Sequence, residues 1–424
     1  MKPLHSICLL GMLITSLLAI VPQAPAADTW LQWGGANRDF TVADPGLAEA
    51  WPAEGPRVVW SGEIEAGHSS IVTDGKTLYT MCRRDEQDAV VAFNAETGEK
   101  LWETRYDAPT KPDMQLEFGA GPHSTPLIVG ERLFTLGGMV HFHCLDRATG
   151  KVLWAHNLMD ELGAAHCGRG YGASPFAYKD LVIVGCGGGD VGVAAFRQDT
   201  GEIAWKSEKF RPGYPSPVLA QVSGEEHLIY ALSAERMALD PATGQTRWKT
   251  TVDRQLAGIM SSPLWVGPDS VLFSCAYGGG TQLFRIGRKD DAYAAEEVWF
   301  NNKLKVMHGT LVRIGEHVFG SSGDFGPAFM MCVHLPTGKL LWRDRTFAKA
   351  TLLAVGDKLL ILDAEGRLAL ARPTAEKLNV LVQTQVLKSP SFTSPTLVGA
   401  RLYLRDHHTI KALELPVAAG SKSE

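Results

Sequence analysis

Three histidines of this chain share one register. His68, His123 and His308 each stand two residues ahead of a Ser or Thr that opens an apolar run, at Ser70, Thr125 and Thr310. Reading the same register at Ser174, Ser216, Ser262, Thr351 and Ser394 adds Gly172, Tyr214, Met260, Lys349 and Phe392. Imidazole changes charge near neutral pH and is the commonest metal ligand. Three imidazoles, a phenol and an ammonium converging on one funnel suit an anion, a peptide carboxylate or a metal. A plainer account competes, in which strand starts line a wet channel and the histidines fill space and bond water. The candidate ligand-binding residues are therefore His68, His123, Tyr214, His308 and Lys349. No catalytic residue and no metal set is assigned.

Other chemistries leave no mark. The sequence has no G-x-S-x-G elbow and no H-E-x-x-H zinc motif. Asp190 and Asp324 are acids near glycines, a common neighbourhood in a chain with 44 glycines. Gly185–Gly189 and Gly278–Gly280 precede neither a helix nor a Lys-Ser/Thr pair, so they read as hairpins and not phosphate loops. His407-His408 reads as a pair of solvated loop histidines. Cys82, Cys144, Cys167, Cys186, Cys275 and Cys332 show no C-x-x-C spacing. They read as small buried strand residues, with one or two bridges as the alternative.

The elements that position these residues repeat. Ala92-Phe93-Asn94 runs through Thr97-Gly98 to Trp102, and the pattern returns at Cys144 to Trp154, Ala195 to Trp205, Ala238 to Trp248 and Cys332 to Trp342. Each copy reads as the end of an apolar strand, an Asx-type turn, a glycine at positive φ and a returning strand that carries Trp. The turn glycines are Gly98, Gly150, Gly201, Gly244 and Gly338. Trp60 and Trp299 end similar strands without that turn. A large flat ring at a fixed place suits the packing of one sheet on the next. Trp60, Trp102, Trp154, Trp205, Trp248, Trp299 and Trp342 are therefore read as docking residues.

Together with the eight Ser/Thr strand openers, the repeat defines units of four short strands. Such units cannot bury both faces alone, and radial stacking solves that problem. The expectation is an all-β, eight-bladed β-propeller of four-stranded antiparallel blades over 57–416. The eighth unit stops near Leu415 after three strands, and an orphan strand, Arg57–Trp60, precedes the first unit. Joining the two closes the ring with an N-terminal strand. Blade seven, about Thr351 to Val386, has no outer Trp.

Composition agrees with a folded body: 45% hydrophobic, 21% charged, formal net charge −5. The two signs are interspersed, which leaves no footprint for nucleic acid. Residues 1–26 read as an export signal, with Lys2, an apolar stretch from Ile7 to Val21, and Ala24-Pro25-Ala26 for cleavage. Cys8 lies inside the apolar stretch, so a lipoprotein is not expected. Residues 27–56 read as an N-terminal extension and 417–424 as a disordered tail. The expected location is periplasmic or secreted, and the expected state a monomer.

The A-x-D-x-x-T-G-x-x-x-W repeat resembles the tryptophan-docking motif of the pyrroloquinoline-quinone (PQQ) repeat superfamily. That superfamily includes quinoprotein alcohol dehydrogenases and the propeller lipoprotein of the outer-membrane barrel-assembly machine. Trp30-Leu31-Gln32-Trp33-Gly34-Gly35-Ala36-Asn37-Arg38-Asp39 resembles the opening W-x-Q-W-R-G-P-N-R-D-G of exported PQQ-binding-like propellers from planctomycetes. Gly34, Ala36 and Phe40 depart from that pattern. In the dehydrogenases the resemblance implies a quinone between a Trp and a disulfide of adjacent cysteines, with calcium held by Glu, Asn and Asp. This chain has no Cys-Cys pair. The expected function is a non-catalytic binding or scaffold propeller for envelope or secreted proteins, with no cofactor. The alternatives are a PQQ- and calcium-dependent quinoprotein dehydrogenase and a small-ligand sensor using the channel mouth.

Overall fold

The computed structural model describes residues 28–187, 189–210, 213–232, 235–252, 261–307, 309–323, 327–347, 349–388 and 390–418. The expected signal at 1–26, most of the expected tail, and Met260, His308 and Asp324 lie outside them. The described strands form eight blades of four antiparallel strands each; in seven of them the four follow in chain order, and in the eighth the outer strand comes from the N-terminal side of the first blade. Blade one, for example, consists of Val72–Thr73, Thr77–Arg84, Gln87–Asn94 and Lys100–Asp107. Its inner strands are buried on both faces, whereas the outermost strand is half-exposed. Blade seven, which lacks the outer Trp, still forms four strands, with Leu378–Gln385 outermost. Val382 takes the Trp place there, opposite Leu370 and next to the register shift.

Ring closure is the work of the N-terminal strand. Arg57–Glu63 pairs antiparallel with Thr409–Glu414 and becomes the outer strand of blade eight. In all eight blades a register shift stands beside the Trp position of the outer strand. An extra residue bends a strand and re-aims the side chain next to it. Here the effect is to turn the indole toward the following blade. Trp60, Trp102, Trp154, Trp299 and Trp342 each donate Nε1–H to a turn carbonyl of that next blade, at 2.8–3.2 Å. Trp205 lies on Gly244 without a hydrogen bond of its own. Trp248 packs with Val271 and Phe284 of blade five, but its Nε1–H stays inside blade four, on His227 Nδ1 at 3.1 Å. Blade five explains that departure: its outer turn is Asp290-Asp291, without the Thr-Gly that receives an indole elsewhere.

The strand openers have a second task. Ser70 N–H donates to Thr125 Oγ1, Thr125 N–H to Ser174 Oγ, Ser174 N–H to Ser216 Oγ, and Ser216 N–H to Ser262 Oγ, at 2.9–3.2 Å. A hydroxyl on each blade thus satisfies the backbone of the one before. The belt links blades one to five around the channel. Small hydroxyl residues recur here because each must accept a buried N–H that no strand pairing reaches.

The N-terminal extension enters the channel. Trp30 exchanges two backbone hydrogen bonds with Thr73 of blade one, and Ile128 of blade two donates to Leu31 O. Thr41–Val42 then lies parallel to Thr351–Val355 as a fifth strand on the inner edge of blade seven, an addition to the expected four. Between these legs Gly34 and Gly35 turn the chain, so residues 30–42 form a hairpin inserted along the axis. Leu47 and Val417 bridge where the chain leaves, and Ala418 donates to Gly46 O. Within the N-terminal extension, residues 30–42 form an axial plug. Residues 417 and 418, assigned to the tail, bond to its foot.

Candidate functional site

The plug stops short of one end of the channel, leaving a cavity of about 180 Å³ whose floor includes Trp33. The shared register predicted from the sequence converges there: His68, His123, Gly172, Tyr214 and Phe392 all line this one cavity. Met307 and Gly309 line it on either side of position 308. Lys349 does not belong to the wall; it is half-buried at a positive φ of 49°. His68, His123, Gly172, Tyr214 and Phe392 each come from the segment leading into an inner strand. One register therefore maps to one mouth.

The histidines are packed against each other. The rings of His68 and His123 stack at 5.1 Å and 7°, and His407 meets His68 edge-on at 4.6 Å. His68 Nε2 lies 2.6 Å from Phe118 O, and His123 Nε2 lies 2.7 Å from Arg169 O. A carbonyl only accepts, so both imidazoles donate from Nε2. Burial, then the neighbouring His123, holds His68 well below the usual histidine range. Burial pushes His123 down to about 4. Both rings are neutral at neutral pH.

The sequence reading missed four wall or contact residues. Trp33, Phe118 and Arg169 line the cavity, and His407 is a ring partner of His68 and not a solvated residue. His408 is exposed, as expected. Phe118 and Arg169 sit on long loops between blades, whose course no repeat records. Gln115 N–H donates to Gly168 O at 2.7 Å and His68 N–H to Pro122 O at 2.9 Å, which folds these loops over the mouth. Arg169 stacks on Phe118 at 5.0 Å and pairs with Glu117 at 2.7 Å, while its backbone N–H donates to Tyr214 Oη at 3.2 Å.

The six described cysteines are free thiols, and none lines the cavity. The described wall carries neither a carboxylate nor a carboxamide. Among the described residues no group of three or more His, Cys, Asp or Glu is arranged to hold a metal ion. Calcium takes six to eight oxygen ligands, chiefly carboxylates and carbonyls. These residues do not fit a calcium-bound quinone. What the wall offers is a neutral aromatic box with one guanidinium and several hydroxyls.

The family model described as outer membrane protein assembly factor BamB matches residues 46–117 and 86–344. The chain belongs to this family of PQQ-like repeat propellers. Solved propellers agree on the fold. BamB from Moraxella catarrhalis superposes with a TM-score of 0.60 at 17% identity, covering 84% of this chain and 97% of that one. Quinohemoprotein alcohol dehydrogenase from Comamonas testosteroni gives 0.67 at 14% identity, covering 95% and 82%. Among curated sequences, quinoprotein alcohol dehydrogenase PedH of Pseudomonas putida is 29% identical over 166 residues. That match spans 35% of this chain and only 25% of the relative. The proteins this chain is similar to thus include ones with and without enzymatic names. Among the described residues no helix is long and apolar enough to cross a membrane.

Proposed function

We propose that this PQQ-like repeat propeller is an exported binding protein of the cell envelope that engages other proteins and turns over no substrate. One observation carries the reading: the chain's own hairpin fills the axis where a propeller can enclose chemistry. Among the described residues, the lining of the cavity left above it has neither a carboxylate nor a cysteine. The match to the BamB family supports the same direction, since that description is of an assembly factor. Rigid blades presenting loops at two rims suit such a role. The working unit is a monomer in the periplasm or outside the cell.

The test is chemical cross-linking and co-purification of the tagged protein from an envelope extract of the native organism. A reproducible set of protein partners is expected. Recovery of a quinone chromophore instead, together with a thermal shift and dye reduction on adding PQQ and calcium, overturns the reading in favour of a dehydrogenase.

A second reading has its own observation. The mouth cavity gathers stacked neutral histidines and aromatic rings at one end of a channel closed from the other side. Enclosed apolar pockets with a few placed polar groups are the usual form of small-ligand sites. On this reading the propeller senses a small molecule at its mouth.

A further inference from the structure

Five cations gather on the shoulder of blade six, outside the mouth. Residues 301–307, 321–330 and 342–350 contain Lys303, Lys305, Arg343, Arg345 and Lys349 against two acids, Asp324 and Asp344. The whole chain has a formal net charge of −5, so this local excess runs against the composition. The fold brings the three segments together. Ser322 Oγ accepts from Lys305 N–H at 3.1 Å and donates to Lys303 O at 3.2 Å. Ser321 Oγ accepts from Ala350 N–H at 2.9 Å, which sets Lys349 beside the same strand end. Ser322 also pairs with Phe329 across the hairpin. Leu304 and Val306 are buried in the seam between blades five and six, while the alternating Lys303 is exposed and Lys305 half-buried.

The two arginines are held in a defined way. Arg343 and Arg345, two apart at the end of the outer strand Leu340–Asp344, share one face of the sheet. Both are exposed, and both guanidinium groups lie over the Phe329 ring, at 5.2 and 4.9 Å from its centroid. Phe329 is itself packed on the apolar seam, so the platform is fixed. An aromatic face holds a guanidinium flat and leaves its in-plane N–H groups available. Such a planar fork meets a carboxylate through two parallel hydrogen bonds. Among the described residues none of the five cations forms a salt bridge. Elsewhere on the surface arginines are paired, as Arg84 and Arg105 are with Glu65 and Arg372 is with Glu49.

We infer that this shoulder docks an acidic segment of a partner protein, its carboxylates on Arg343 and Arg345 and further negative charge beside the lysines. The inference rests on the reading that the propeller engages other proteins, and adds the place and the chemistry. Arginine is among the residues that dominate protein interfaces, and charges at an interface rim speed encounter and make it salt-sensitive. A bilayer fits less well. Elements that lie on membranes set large apolar side chains beside their cations. The exposed large apolar side chains of the described chain include none between Val298 and Val417.

The test is fluorescence anisotropy of the full protein with a dye-labelled octaglutamate peptide, and octaglutamine as the neutral control. Octaglutamate is expected to bind at least about tenfold more tightly than octaglutamine, and to weaken as salt is raised. Arg343→Gln combined with Arg345→Gln is expected to weaken it about tenfold or more at an unchanged melting temperature. Arg57→Gln combined with Arg84→Gln, on other blades, is expected to leave it unaltered. Phe329→Leu, which keeps an apolar side chain and removes the ring, is expected to weaken it severalfold; no loss there removes the platform from the inference. If both double variants weaken binding alike, the attraction is general to the surface and the shoulder is no site. If octaglutamate fails to bind while phosphatidylglycerol vesicles sediment the protein, the partner is a membrane and the inference is overturned. If neither binds, the acidic docking site is wrong, while the partner reading beneath it is judged separately by cross-linking and co-purification.

Discussion

The indole of Trp60 lies flat on the α-carbon of Gly98, and its Nε1–H donates to Ala95 O at 2.9 Å. One residue belongs to the last blade and the other to the first, so this contact seals the circle. Trp102 on Gly150, Trp154 on Gly201, Trp205 on Gly244 and Trp299 on Gly338 repeat the contact between neighbours. Glycine is needed twice over. The five turn glycines have φ between 68° and 78°, where a side chain is strained, and any Cβ would run into the ring.

Gly98→Ala therefore should destabilise the protein by about 2–4 kcal/mol, combining overpacking with the left-handed backbone cost. A Cβ at Gly98 would stand 2.5 Å from the indole, whereas one at Gly399, with φ of 55°, meets nothing within 4 Å. Gly399→Ala should cost only about 1 kcal/mol. Urea denaturation of both variants checks this. Equal losses would mean that indole docking is not what the turn glycine serves.

Deleting Arg57 to Trp60 should abolish cooperative folding or lower the melting temperature sharply. The deletion removes the pairing of Val58 with Leu413 and of Trp60 with Ala412, and exposes the long edge of Thr409–Glu414. An exposed edge invites pairing with other chains. Calorimetry and light scattering are the measurements. A truncated protein that melts like the parent as a monomer removes the non-covalent clasp from the account.

Arg38 is the keystone of the plug. Its buried guanidinium donates to Pro217 O at 3.0 Å, Pro175 O at 3.2 Å and Gln32 Oε1 at 3.1 Å, and stacks on Phe176 at 5.2 Å. Burial lowers its pKa to about 10, so it stays charged at neutral pH. Arg38→Ala should cost about 2–4 kcal/mol, mainly through carbonyls left unsatisfied. Amide exchange gives a sharper readout. Ile128 and Ala354, whose N–H groups donate to Leu31 O and Phe40 O, should exchange faster in the variant. Unchanged protection at both would show that the hairpin holds without Arg38.

Stability should fall as pH drops from about 6.5 to 4. His123, His143 and His227 have folded pKa values pushed down to about 4, each chiefly by burial. In that window the unfolded chain binds more protons than the folded one, so each such histidine contributes stability present above 6.5 and lost on acidification. The slope approaches 1.4 kcal/mol per pH unit for each fully titrating group. Asp88 opposes this, because burial raises its carboxyl to about 6 and its folded form gains protons first. Three histidines outweigh one aspartate. His143→Phe should flatten the profile, measured by chemical denaturation at pH 7, 6 and 5, and an unaltered slope would contradict the assignment.

The sequence by itself determined the blade count, the closing strand and the register of the mouth, because each rests on a short pattern repeated at fixed spacing. The Thr-Gly to Trp spacing encodes a local turn, so Trp60 was legible as a docking residue and Gly98 as a turn glycine, while the structure paired the two. The Ser/Thr openers placed His68, His123 and Tyr214 on one rim for the same reason. Only the tertiary structure decided what lies on the axis. The segment Trp30–Val42 has no periodicity, and its place is set by contacts with blades far along the chain, such as Arg38 with Pro217 and Phe40 with Ala354. Likewise, Phe118, Arg169 and His407 joined the mouth through loops of unrepeated length, and Lys349 left it despite sharing the register. Repetition records the relation of a strand to its neighbours. The contents of a shared central space depend on every blade at once, and no local pattern carries that information.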